Sequence, residues 1–149
     1  TKKILGLHIR GTDYKEFKDY HTNLENNYYE NSLNKIENLE NYNIILFTDD
    51  IELASSKFKD YYQETIINIK NKYLSKEYEY LINSTELDLF LLSLCDILIC
   101  ANSTFSLWAS YFSNASQIYI PHNWFAEKGP SDFKVNELCL NDNYIVTSL

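Results

Sequence analysis

The sequence predicts an α/β fold, a doubly wound parallel sheet wrapped by helices, and three observations carry that expectation. Apolar runs suited to buried strands recur at 4–9, 44–47, 65–69, 97–101 and 117–120, each bounded by polar or turn residues. Between them lie segments with helical apolar spacing, at 28–39, 51–62, 86–96 and 104–112. The two kinds of segment alternate, and a right-handed crossover from one parallel strand to the next must pack back onto the same sheet. After Pro121 the chain turns irregular, with a last short strand expected at 144–147. Three Gly, two Pro and no repeat or flexible linker leave one domain over 1–149. In a sheet of order 3-2-1-4-5 the ligand rim lies between the first and fourth strands, beyond their carboxyl ends.

Composition narrows the function classes. The chain has 149 residues, 45% hydrophobic and 15% aromatic, enough for a single core. Thirteen basic against 21 acidic residues, net charge −8, argue against a nucleic-acid binder, which needs a basic stripe. No uninterrupted apolar stretch reaches the roughly 18 to 20 residues of a membrane span. The chain opens on Thr1 and contains no Met, so a longer parent protein is expected. Cys95, Cys100 and Cys139 lack paired metal-ligand spacing and are expected to be reduced, buried thiols.

The chemical residues gather where the topology puts the ligand. The first strand ends in His8-Ile9-Arg10-Gly11-Thr12-Asp13-Tyr14. Arg10 offers a planar, permanently charged fork suited to a phosphate, or it pairs with Asp13 and fixes the loop. The fourth strand runs into Asn102-Ser103-Thr104 at a helix start. There, free backbone amides and the helix dipole form an anion site, although such residues are ordinarily N-caps. Asp88 opens the helix after the third strand. A carboxylate there accepts from guanine N1–H and the exocyclic amine together, or merely complements the helix dipole. Asp49 and Asp50 end the second strand; capping of the next helix outweighs metal binding for want of a third ligand, and a ribose contact is the remaining alternative. His21 and His122 are expected to be loop residues.

These segments, together with Tyr28-Tyr29, Leu92-Ser93-Leu94-Cys95, Phe105-Ser106-Leu107-Trp108-Ala109 and Pro121-His122-Asn123-Trp124-Phe125, resemble in order the motifs of the glycosyltransferase family 11 alpha-1,2-fucosyltransferases. The resemblance implies the Rossmann-like, C-terminal half of a two-domain GT-B enzyme that binds GDP-fucose as co-substrate. It implies transfer with inversion to a terminal galactose hydroxyl of a glycan, with no metal or other cofactor and with the N-terminal acceptor domain absent from this chain. Arg10 would hold the β-phosphate and be the catalytic residue, Ser103 and Thr104 would add hydrogen-bond donors to the diphosphate with Asn102 also binding the sugar nucleotide, Asp88 would read guanine and His8 would lie near the nucleoside. The expected location is cytoplasmic, peripheral to the inner membrane, or the Golgi lumen for a eukaryotic source. Two positions depart from the family pattern: Gly11 stands where a second arginine is usual, and Leu107 where a tryptophan is. The alternatives are a non-catalytic nucleotide-binding or receiver-like domain, and a transferase of another GDP-sugar or linkage, alpha-1,6 or O-fucosyl.

Overall fold

The computed structural model describes residues 2–11, 16–24, 26–61 and 64–149; Asp13 lies outside them. Six strands form one sheet: β1 (Lys3–Ile9), β2 (Tyr42–Thr48), β3 (Glu64–Thr65), β4 (Ile97–Ile99), β5 (Gln117–Pro121) and β6 (Tyr144–Thr147). Every pairing is parallel and the order is β3-β2-β1-β4-β5-β6. The expected order is thus extended by β6, and the direction of winding reverses between β1 and β4. The helices are α1 (Asn26–Leu33), α2 (Ile51–Phe58), α3 (Ile66–Tyr73), α4 (Thr85–Ser93) and α5 (Thr104–Phe112).

Strand alternation sends side chains to two cores. Leu5, Leu7 and Ile9 of β1 pack with Tyr28, Tyr29 and Leu33 of α1 and with Ala54 and Phe58 of α2. The opposite face is made by Phe47, Leu98, Cys100, Ile118 and Ile120, covered by Ile66 of α3, Leu92 of α4 and Leu107 and Ala109 of α5. Cys95 and Cys100 are free and buried as expected, whereas Cys139 is free but only half-buried. Among the described residues no helix is long and apolar enough to cross a membrane.

Two local features position the rim. Gly6 lets α4 lie directly on β1, because a Cβ there would stand 2.7 Å from Leu92 Cδ1 and 2.8 Å from Cys95 Sγ. The helix then ends at Ser93 and not at 96, since Asp96 leaves it to clamp the start of β1. Its carboxylate accepts from Ile4 N at 2.7 Å, and its own amide donates to Ile4 O at 2.8 Å. Asp88, one turn before Leu92, is thereby carried up the same helix face to the level of His8, two residues beyond Gly6 on the same face of β1.

Three other expectations are corrected. The run at 65–69 is a strand only over Glu64–Thr65, after which it becomes α3. The Thr65 hydroxyl accepts from Asn68 N at 3.3 Å and caps the helix, and Ile66 and Lys70, one turn apart, are both buried. The helix expected at 28–39 ends at Leu33, and Asn38 takes a left-handed conformation (φ 53) before a 3-10 turn at Leu39–Asn41, a backbone asparagine tolerates. The helix expected at 51–62 is regular only over Ile51–Phe58. Its last expected residue lies outside the described ones.

Candidate functional site

His8 and Phe47 are register partners on adjacent strands and point to the α3/α4/α5 face. Beyond them the carboxyl ends of β1 and β2 open into a cavity of about 220 Å3, lined among others by His8, Arg10, Phe47, Asp49, Asp88 and Phe105. That is smaller than the ~300 to 1,000 Å3 of a typical small-molecule site, and suits one ring system with the rest of a ligand outside. Phe47 and Phe105 give it aromatic walls, and Thr48, Asn83 and Thr85 add polar groups to His8, Arg10, Asp49 and Asp88. His8 and Phe105 rings lie 5.0 Å apart.

Each polar group is held by a different element. Asp49 braces the loop: its Oδ2 lies 3.2 Å from Arg10 Nη1, and its Oδ1 accepts from Gly11 N at 2.9 Å; the expected Arg10–Asp13 pair lies outside the described residues. The two loops are close enough that a Cβ at position 11 would meet Asp50 Cβ at 2.8 Å, so the family's second arginine would not fit without a shift. Asp50 is turned away from the cavity and caps α2, accepting from Leu53 N at 3.0 Å. Asp88 Oδ1 lies 2.6 Å from the Nζ of Lys70, a lysine only 2% exposed. Burial raises the Asp88 pKa above the usual carboxylate value, against the pull of Lys70.

His8 is buried, and its Nδ1 has no hydrogen-bond partner among the described residues. Desolvation lowers its pKa to about 4, with Asp49 opposing and Arg10 reinforcing the shift, so the ring is neutral at physiological pH. A neutral imidazole facing a cavity offers one donor and one acceptor and no charge. From the opposite core, Tyr29 Oη donates to His8 O at 3.2 Å and fixes the strand end.

The start of α5 differs. Asn102 Nδ2 donates to Thr22 O at 2.9 Å and Trp124 O at 2.8 Å, tying two loops to the end of β4. Ser103 caps α5, accepting from Phe105 N at 3.3 Å, and Thr104 is exposed. None of the three lines the cavity, although Phe105 beside them does. The structure therefore brings together His8, Arg10, Asp49 and Asp88, and sets Asn102, Ser103 and Thr104 along one border. Sequence reasoning missed Lys70 because a strand was expected over 65–69, ending just before it; the Ile66/Lys70 helical spacing was the available signal. Among the described residues no group of three or more His, Cys, Asp or Glu side chains could hold a metal ion.

A parallel sheet wound in both directions from β1 and β4, with a cationic and a carboxylate side chain over its carboxyl edge, defines a Rossmann-like α/β domain. The sequence pattern of one family, described as glycosyl transferase family 11, matches residues 1–142. The chain belongs to that family. It is also similar to the O-antigen biosynthesis glycosyltransferase WbnK of Escherichia coli, 30% identical over 131 residues. That match covers 84% of this chain and 40% of the length of WbnK. No solved structure matches the chain.

Proposed function

We propose that this chain is the donor-binding domain of an inverting glycosyltransferase that uses GDP-fucose and makes an alpha-1,2 linkage to a galactoside hydroxyl, with the acceptor domain contributed from outside these 149 residues. The observation that carries the reading is the convergence of His8, Arg10 and Asp88 on one cavity in a family 11 chain. The role of WbnK in O-antigen biosynthesis supports a saccharide acceptor. The 40% coverage of that relative supports a second domain.

In this reading guanine enters the aromatic cavity and meets Asp88, and His8 Nδ1 bonds the nucleoside. The diphosphate runs out past Arg10 towards the amides at the start of α5. An acceptor hydroxyl attacks the anomeric carbon and passes its proton to a base on the acceptor side or to water, while the bond from that carbon to the β-phosphate oxygen breaks with its electrons leaving on GDP. Negative charge grows on the β-phosphate, so a guanidinium already in place and held by Asp49 stabilises the transition state more than the ground state. A receiver-like reading would need carboxylates available to a metal, whereas Asp49 is engaged by Arg10 and Gly11, and Asp50 by Leu53.

Calorimetry on this chain with GDP, GDP-fucose and ADP, each with magnesium and with chelator, tests the reading. The expected result is GDP binding tighter than ADP by tenfold or more and indifferent to magnesium. Equal affinity for the two nucleotides sinks it.

A further inference from the structure

The Lys70–Asp88 pair joins a cavity-lining carboxylate to a buried lysine behind it, and its geometry is asymmetric. Asp88 Oδ1 is shielded from solvent and sits 2.6 Å from Lys70 Nζ, while the Asp88 side chain as a whole is 25% exposed. The accessible oxygen is therefore Oδ2, on the cavity side. Lys70 is 2% exposed and reaches the pair from α3, packed beneath the pocket, so it does not itself touch a ligand. An ammonium in that position does two things. It opposes the desolvation that raises the Asp88 pKa, and by holding Oδ1 it fixes the carboxylate rotamer with Oδ2 turned to the ligand.

We infer that Lys70 is a positioning and specificity residue of the base pocket, holding Asp88 ionised and oriented so that Oδ2 accepts from guanine N1–H and the exocyclic amine. This rests on the guanine reading proposed above and deepens it. The other ionisable groups around Asp88 do not substitute for Lys70: His8 across the cavity is neutral, Arg10 and Asp49 at the mouth face each other, and Glu86 on the same helix is exposed and bonded to Ser84.

The test compares the unsubstituted chain with Lys70→Met and Lys70→Gln, each first shown to be folded by circular dichroism. Affinities for GDP and for inosine 5′-diphosphate, which lacks the exocyclic amine, are measured from pH 8 to pH 5. Without the ammonium, the pH at which GDP affinity is half lost should rise by about one unit or more. At the acid end the preference for GDP over the inosine nucleotide should fall from about tenfold to under threefold. The glutamine variant, polar but uncharged, should behave as the methionine one does. Unchanged midpoints and preference in folded variants overturn the inference while leaving the guanine reading intact. Absence of any GDP preference in the unsubstituted chain overturns both. If both single variants fail to fold, Asp88→Asn with Lys70→Met removes the buried charge along with its partner; retained guanine preference in that double variant contradicts both the inference and the guanine reading.

Discussion

The two flanks of the switch point carry polar side chains at the same level of the sheet and use them differently. After β1 and β2, Arg10 meets Asp49 and Asp88 meets Lys70, charged pairs drawn from separate elements that form walls around a cavity. After β4, Asn102, Ser103 and Ser106 are bonded to nearby backbone: Asn102 to Thr22 O and Trp124 O, Ser103 to Phe105 N, and Ser106 to Ala101 O at 3.1 Å and Ser103 O at 3.3 Å. A polar residue at a strand end thus serves chemistry or architecture according to whether backbone close to it already closes its hydrogen bonds. The first flank should respond to substitution mainly in binding and pH behaviour, the second mainly in stability.

The largest expected effect belongs to His8. Its folded-state pKa of about 4 lies below the ordinary 6.5, so between those values the unfolded chain binds more protons and stability climbs with pH. The contribution is fully present above about pH 6.5 and is lost as pH falls towards 4, by up to about 3 kcal/mol. Urea unfolding across that window should show a slope that His8→Gln reduces. An unchanged slope would mean that the ring is not enclosed as described.

Arg10→Ala comes next. In a transferase containing this domain it should lower turnover by about a hundredfold, by analogy with losing a preorganised donor, while the melting temperature of the domain moves little, since the Arg10–Asp49 pair is partly exposed. A stability loss with normal turnover would reverse the assignment of the two flanks.

Asn102→Ala should do the opposite. Two carbonyl bonds are lost, at a cost of about 2 kcal/mol in stability, and GDP affinity of the folded protein should stay within about threefold. A tenfold loss of affinity would move Asn102 to the binding flank.

The sheet was legible because apolar runs and their alternation with helical spacing are features of single segments. Where a run was ambiguous the reading failed: Ile66-Ile67-Asn68-Ile69 has the apolarity of a strand, and the helix declares itself through the Thr65 cap and the buried pair Ile66 and Lys70. The same misreading hid Lys70, since a lysine one turn from a buried isoleucine suggests a snorkelling surface residue and not the buried partner of a cavity carboxylate. His8, Arg10 and Asp88 were legible as chemical types at strand and helix ends. Their partners were not, because Asp49 and Lys70 come from other elements and meet them only through the β1–β2 register and the packing of α3 against α4. Ser103 was legible as the N-cap it is, whereas Asn102 was expected among the donor-binding residues, and Thr22 O and Trp124 O, which occupy its amide, lie in loops whose path no local pattern announces.

The central claim, that the nucleotide occupies the cavity over β1 and β2, is tested most directly by adding GDP to isotope-labelled protein and following the backbone amide resonances. The account predicts the largest shifts at His8, Arg10, Phe47, Asp88 and Phe105, with smaller ones at the first amides of α5. Shifts centred instead on the loop after β5, around His122 and Phe133, would contradict it.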